Sequence, residues 1–319
     1  MKVGLIGIGG MGFVHFNCYK KMADIEICVA DVRVDMAKEK IKDDSINVYS
    51  SIEELLANEN VDFIDVCTPS YLHAEQTITA LNAGKHVLCE KPMSTNSADA
   101  AKMIEAAEKN GKLLMVAHVV RFMAPYVYLK SVIDSGELGK PVHFMLNRLS
   151  SIPLWSWENW LLDEKRSGGV PMDLSIHDID FIQYVFGQPK SVSAVWKKMA
   201  GNNEYISSEL VYDDFSVDVA GTWYSADFPF TANYIAVFEK GYVKCDGDVI
   251  KNGEKVSLDL GDTSEDTGIN LSGADGYADE IAYFVECIKT GRKSDKVTPE
   301  SSMASVKLVE SLKSGAVLV

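Results

Sequence analysis

Lys2-Val3-Gly4-Leu5-Ile6-Gly7-Ile8-Gly9-Gly10-Met11-Gly12 is the stretch whose reading decides the fold. From Lys2 to Ile8 it is almost continuously apolar, as a strand covered on both faces requires. It runs into a Gly-x-Gly-x-x-Gly turn, and a helical stretch follows to near Met22. In that strand–turn–helix order each glycine has a separate duty. Gly7 permits the tight turn. Gly9 lets a pyrophosphate approach the backbone, whose amides and helix dipole stabilise its charge. Gly12 lets the helix lie close to the strand. The turn therefore reads as a dinucleotide cradle built by Gly7, Ile8, Gly9, Gly10, Met11 and Gly12. The next strand, Ile25 to Ala30, ends in Asp31, where a carboxylate accepts from both adenine-ribose hydroxyls and repels a 2′-phosphate. NAD is the expected cofactor, with NADP the alternative because the Arg33 guanidinium stands two residues on.

Further strand–helix units follow. Asn47 to Ser50 reads as a short strand, and Ser51 caps a helix that carries Glu53 and Glu54 in its first turn. Val61 to Cys67 is a buried strand ending in Thr68-Pro69, with a helix from about His73 to Ala83; Thr68, Pro69 and His73 are candidate cofactor contacts. His86 to Glu90 is another buried strand, and it stops in Glu90-Lys91-Pro92. Ligands of a parallel α/β sheet sit just beyond the carboxyl ends of its strands, so Glu90 and Lys91 stand at a binding rim. A helix from Ser97 to Asn110 and a strand from Lys112 to Ala117 complete a doubly wound parallel sheet, expected to occupy residues 1–120.

From Pro141 the texture changes to alternating strands, at Val142–Ser150, Ser191–Lys198, Tyr205–Tyr212, Ser216–Tyr224 and Asn233–Glu239. These specify a second, α+β domain over 121–297 with a large, mostly antiparallel open sheet. Its uncovered face is a candidate subunit interface, which a clean monomer in sedimentation at micromolar concentration would remove. Asn252 to Asp275 reads as loop-rich, Gly276 to Thr290 as a helix, and Thr298-Pro299-Glu300 as the start of a last helix that would pack back on the first domain.

Two stretches of this domain carry chemistry. From Asp173 onward a helical pattern places Asp173, His177 and Asp180 on one face, among apolar flanks. An acid one turn from a histidine orients the imidazole for proton transfer, although a satisfied core histidine leaves the same pattern. Trp155-Ser156-Trp157-Glu158-Asn159-Trp160 holds three of the five tryptophans, and indole faces stack on sugar rings as readily as they pin a loop. Trp155 and Trp160 are the candidate substrate contacts.

Composition narrows the class. The 319 residues carry a formal charge of −15, which argues against nucleic acid and anionic membrane as partners. No apolar run is long enough to span a bilayer. The amino-terminal residues have no signal-peptide features, and the six cysteines form no Cys-x-x-Cys pair. A cytoplasmic protein with reduced thiols and no metal centre is expected.

Gly7-x-Gly9-x-x-Gly12, Thr68-Pro69 with His73, Glu90-Lys91-Pro92, Arg121, and Gly168-Gly169 with Asp173, His177 and Asp180 together resemble the Gfo/Idh/MocA family, the relatives of glucose–fructose oxidoreductase and inositol dehydrogenase. The resemblance runs nearly the whole chain. It implies a Rossmann domain, an α/β domain whose open sheet makes dimer or tetramer contacts, and hydride transfer between nicotinamide and a sugar, cyclitol or related polyol. By that likeness Lys91 is the catalytic lysine, with its bond to Pro92 often cis, Asp173 and His177 are the substrate-side pair, and Arg121 lies at the substrate. Ser70 and Ser175 depart from the asparagine and glycine many relatives carry, which bears on fine substrate contacts.

The residue types then suggest a mechanism. His177, oriented by Asp173, takes the hydroxyl proton, an imidazole's ordinary pKa of about 6.5 being suited to exchange near neutrality. Lys91 hydrogen-bonds the same oxygen and stabilises its developing charge. Two alternatives use the same fold: a hydrolase or epimerase that retains NAD through a transient oxidation, and an NAD sensor without catalysis.

Overall fold

A computed structural model describes residues 1–258, 275–315 and 317–318. The chain divides into two compact units. The first holds Met1–Val119 and Tyr277–Met303; the second holds residues 120–258, 275–276 and, from Ala304, the rest of the described chain.

In the first unit, β1 (Lys2–Ile6), β2 (Glu26–Ala30), β3 (Val48–Tyr49), β4 (Phe63–Val66), β5 (His86–Glu90) and β6 (Leu114–Ala117) form one parallel sheet in the order β3-β2-β1-β4-β5-β6. The strand order reverses between β1 and β4, which is where a doubly wound sheet opens a crevice at its carboxyl edge. Helices α1 (Gly10–Lys20), α2 (Val34–Ile41), α3 (Ile52–Asn58), α4 (His73–Asn82) and α5 (Ser97–Asn110) connect the strands. Local chemistry sets their ends: the Ser51 hydroxyl accepts from Glu54 N–H to open α3, Asn96 accepts from Asp99 N–H to open α5, and Gly111 closes α5 with φ +62°. Leu5, Ile8, Phe16, Val29, Ala37 and Ile41 fill the core on the side of the glycine turn.

The second unit begins with α6 (Ala124–Ser135). It is organised on β7 (Pro141–Ser151), β8 (Ser191–Lys198), β9 (Glu204–Val211), β10 (Ser216–Tyr224), β11 (Thr231–Phe238), β12 (Gly241–Asp246), β13 (Asp248–Lys251), β14 (Glu254–Lys255) and β15 (Val317–Leu318). Their order is β14-β13-β12-β11-β7-β10-β9-β8-β15, antiparallel except at β7–β10 and β8–β15. Helices α7 (Glu164–Ser167) and α8 (Ile176–Phe186) precede β8. Along β9 the side chains of Glu204, Ile206, Ser208 and Leu210 are buried while Ser207 and Glu209 are exposed, the period of a sheet covered on one face. Edge-to-face rings of Phe144, Phe186, Phe215 and Phe238 fill that covered side.

Helix α9 (Asp275–Thr290), read from the sequence as part of the second domain, belongs from Tyr277 onward to the first unit. Phe284 stands edge-on to Phe63 of β4, which also meets the tilted ring of Tyr19, so aromatic packing fixes the helix there. The last helix, α10 (Pro299–Gly315), starts in the first unit, and from Ala304 it belongs to the second. Of the stretch read as loop-rich, residues 252–258 include the turn into β14, and 259–274 lie outside the described residues.

Candidate active site

The glycine turn follows from backbone sterics. Gly7 takes φ +84° and donates its N–H to Ala30 O at 2.7 Å, binding the ends of β1 and β2 together. A Cβ at Gly12 would lie 1.9 Å from Gly7 O, so only glycine lets α1 start this close to the strand. A Cβ at Gly9 would meet nothing within 4 Å: the backbone there is open to an approaching group. No side chain caps α1, leaving its first amides to an external acceptor.

Asp31 is buried at the end of β2, its Oδ2 accepting Ile8 N–H at 3.0 Å and its Oδ1 accepting Arg33 N–H at 2.9 Å. The Arg33 Nε lies 3.5 Å from Oδ1. Each carboxylate oxygen has two lone pairs, so capacity remains for ribose hydroxyls. An open glycine turn, an uncapped helix and a fixed carboxylate together fit a dinucleotide. One further residue joins them that the sequence reading passed over: Lys40 Nζ reaches back from α2 to Gly9 O at 2.8 Å and Ile8 O at 3.2 Å. Burial and the charge of Arg33 pull its pKa below the ordinary lysine value. Nothing in the sequence separates it from the solvated lysines beside it.

The ends of β4 and β5 modify three expectations. The Thr68 hydroxyl donates to Gln76 at 2.6 Å. His73, expected at the cofactor, is 1% exposed and sets Nδ1 2.8 Å from Pro92 O and Nε2 2.8 Å from Thr68 O. Both ring nitrogens face main-chain carbonyls, so His73 sits between Thr68-Pro69 and the turn after β5. Glu90 likewise spends its oxygens inside the protein, with Oε1 3.2 Å from His15 Nε2 and Oε2 accepting Lys91 N–H at 2.9 Å. Burial opposes its ionisation, and the His15 imidazole beside it overcomes that and holds its pKa down. Lys91 is half-buried, and its bond to Pro92 is cis.

His15, Tyr19, Asp65, Cys67 and Glu280 were not singled out from the sequence, yet they form one enclosed polar cluster with Glu90. Asp65 Oδ2 lies 2.8 Å from His15 Nδ1 and accepts the Tyr19 hydroxyl at 2.8 Å. Cys67 Sγ stands 3.4 Å from both His15 Nδ1 and Asp65 Oδ1. The available signal was an aspartate inside the apolar run Phe63-Ile64-Asp65-Val66.

In the second unit, Asp173 lies in a single π turn, Pro171–Ser175, that leads directly into α8. Asp173 and His177 are half-buried. Glycine again makes room nearby: a Cβ on Gly169 would lie 2.5 Å from Glu204 Oε1, and that oxygen accepts Val170 N–H and the Trp196 indole. The wide turn changes the helical register, so Asp180 does not share the half-buried position of Asp173 and His177. Asp180 is buried and forked by Arg121, Nε to Oδ2 at 2.8 Å and Nη2 to Oδ1 at 2.7 Å, and also accepts the Ser305 hydroxyl. Arg121, expected at the substrate, is thus 2% exposed and engaged as a structural tie. Asp178 makes a second such tie, to Arg148 and the Tyr126 hydroxyl. Trp157 and Trp160 are half-buried, Trp155 is 71% exposed, and Glu158 and Asn159 between them take left-handed φ of 50° and 51°.

Residues 1–118 match a family profile described as an oxidoreductase family with an NAD-binding Rossmann fold, and residues 126–243 match the C-terminal domain of the same GFO/IDH/MocA group. Myo-inositol 2-dehydrogenase of Thermotoga maritima is 35% identical over 191 residues, 59% of this chain and 55% of that protein. A 1,5-anhydro-D-fructose reductase of Ensifer adhaerens is 33% identical over 153 residues, 48% of this chain and 46% of that one. The matches thus span about half the length of these relatives. Among solved structures, an oxidoreductase from Agrobacterium radiobacter in complex with NAD+, L-tartaric acid and magnesium superposes with a TM-score of 0.84 at 18% identity, covering 99% of this chain and 96% of that one. A levoglucosan dehydrogenase in complex with NADH and levoglucosan gives 0.81 at 20% identity over 99% and 97%. At such identities the likeness is one of fold.

Proposed function

Because the chain belongs to the Gfo/Idh/MocA family of oxidoreductases with an NAD-binding Rossmann fold, we propose that it moves a hydride between NAD and a secondary alcohol or ketone of a sugar, cyclitol or related polyol. The carrying observation is Asp31, a buried carboxylate fixed beside an open glycine turn by the Ile8 amide. It supports NAD over NADP. Gly7, Ile8, Gly9, Gly10, Met11 and Gly12 would hold the pyrophosphate, Asp31 the adenine ribose, and Lys40 the carbonyl side of the turn. Bound NAD supplies the two-electron acceptor.

The chain's own residues manage the proton. Lys91 donates a hydrogen bond to the reacting oxygen and stabilises negative charge there. His177, with Asp173 one turn before it in the chain, takes the hydroxyl proton or returns it in the reverse direction. Relatives named for inositol and anhydrofructose support the polyol class without selecting one member. Trp155 and Trp160 are proposed as substrate contacts, and the outward face of the large sheet as a homodimer or homotetramer interface. No helix among the described residues is long and apolar enough to cross a membrane.

The test begins with nucleotide titration and a polyol screen followed by reduced-cofactor absorbance. NAD binding tighter than NADP and NADH accumulating with at least one polyol is the expected result. On that substrate, Lys91→Ala and His177→Ala each lower turnover by about two orders of magnitude or more. Tight NAD without release on any polyol would remove the dehydrogenase, and near-normal turnover in either variant would remove that residue from its role.

A further inference from the structure

The cluster around His15 sits directly behind the residue to which the proposed function gives the reacting oxygen. α1 supplies His15 and Tyr19, β4 supplies Asp65, β5 supplies Glu90 and α9 supplies Glu280, all within the first unit. His15, Asp65 and Glu280 are wholly shielded from solvent, and Glu90 is 6% exposed. One line of contacts crosses it: the hydrogen bond between Asp65 Oδ2 and His15 Nδ1 at 2.8 Å, an ion-pair approach of His15 Nε2 to Glu90 Oε1 at 3.2 Å without hydrogen-bond geometry, and the hydrogen bond that Glu90 Oε2 accepts from Lys91 N–H at 2.9 Å. An imidazole facing a carboxylate on each nitrogen satisfies both only when both nitrogens carry hydrogen. On the far side of Lys91, His73 grips Pro92 O at 2.8 Å. The residue is therefore anchored through its neighbour on either side by a buried histidine.

We infer that His15 is a positioning residue: the buried chain Asp65–His15–Glu90, opposed by His73 on Pro92, fixes the turn that carries Lys91 and so fixes where its amine is presented. This rests on the role given to Lys91 above. Removing the imidazole leaves two shielded carboxylates without the cation between them, and the Glu90 side chain, which holds the Lys91 amide, is the one free to swing. Burial works against a charged His15, but the neighbouring Cys67 sulfur and Asp65 carboxylate outweigh it and hold its pKa well above the ordinary value. Cys67 is itself kept a thiol by burial, so Asp65 is the lasting partner. Glu280 completes the enclosure: one of its oxygens lies within 4.8 Å of the ring and of the Glu90 carboxylate, and neither of its oxygens has a hydrogen-bond partner among the described residues. With a proton on Glu280 and hydrogen on both nitrogens of His15 the cluster keeps one net negative charge; a divalent cation in place of those protons is the competing occupant.

The test uses the full chain with His15→Gln, Glu90→Gln and the double variant. Competitive acetylation of the cofactor-free proteins, read by peptide mass spectrometry, reports Lys91 directly. The expected result is a change of about threefold or more in Lys91 labelling relative to the other lysines, equal in both single variants and no larger in the double. On a polyol substrate, kcat falls about tenfold or more while NAD affinity stays within about threefold. Unchanged Lys91 labelling in folded His15→Gln overturns the inference. So do additive losses in the double variant, or kcat, NAD affinity and Tm falling together as in general loosening. One equivalent of zinc or another divalent cation in the purified protein also overturns it, because a metal would then join these groups. If His15→Gln does not fold, Glu90→Gln carries the same comparison. If the wild-type protein reduces no cofactor with any polyol, the proposed activity fails, and the labelling still decides the positioning.

Discussion

Lys40 shows how one residue on a neighbouring helix completes a turn made of glycine. The turn offers amides on one side and carbonyls on the other, and a phosphate is drawn to the first and repelled by the second. By donating to Gly9 O and Ile8 O, and by lying 4.5 Å from the centre of the Phe13 ring, the ammonium covers the repelling side. Lys40→Met keeps the aliphatic stem over the ring and deletes the charge. Those hydrogen bonds are made before the nucleotide binds, each worth about 1.5–3 kcal/mol with a charged donor, so Tm is expected to fall; the positive charge lost beside the pyrophosphate turn is expected to lower NAD affinity about tenfold in a nucleotide titration. Affinity within about twofold of wild type would show that the turn holds its shape without Lys40. The same scale explains His73: a histidine at the start of α4 has the sequence signature of a ligand contact, but its two carbonyl partners place it in the frame.

At the scale of elements, the second unit is held by buried ion pairs whose strength depends on both partners. Arg121 joins the segment before α6 to α8 through Asp180, and Ser305 of α10 donates to the same carboxylate. Asp180→Ala would take the forked carboxylate away from a guanidinium with 1% side-chain exposure. That change is expected to cost about 3–5 kcal/mol in urea unfolding. Breaking the exposed Lys130–Asp134 pair of α6 by Asp134→Ala should cost less than about 1 kcal/mol. Similar losses in both would contradict the burial argument. The parallel sheet and the last strand residues of β5 were legible in the sequence because continuous apolar runs ending in Gly, Pro and charge leave few other readings. Asp180 and Arg121 were legible as unusual but not in their function, since a buried charge in a site and a buried charge in a salt bridge leave the same letters. The π turn before α8 was invisible, because widening one turn alters no residue type while it changes which side chains share a face. The helix α9 shows the remaining limit: its apolar stripe says that it packs, and only the ring of Phe63 says against what.

Taken as a whole the molecule carries a formal charge of −15, yet it encloses three carboxyl groups around one imidazole in its first unit. Stability must therefore follow pH through that cluster. Burial, and then the charge of Glu90, push Glu280 well above the ordinary carboxyl value, and His15 is also raised. For either group the folded protein holds its proton at pH values where the unfolded chain has released it. Stability from such a group is full below its unfolded pKa and is lost as pH rises toward the folded one, by up to about 1.4 kcal/mol per pH unit per group. For Glu280 the loss begins just above the ordinary value near 4.5; for His15 it begins above about 6.5. Glu280→Gln replaces the protonated carboxyl by a neutral group of the same shape and removes one of the two slopes. Denaturant unfolding at a series of pH values should find the variant nearer to wild type at pH 5 and gaining on it steadily toward pH 8. Parallel pH profiles would mean that Glu280 is ionised in the folded protein, and the burial of its unpartnered oxygens would then need a cation to offset it.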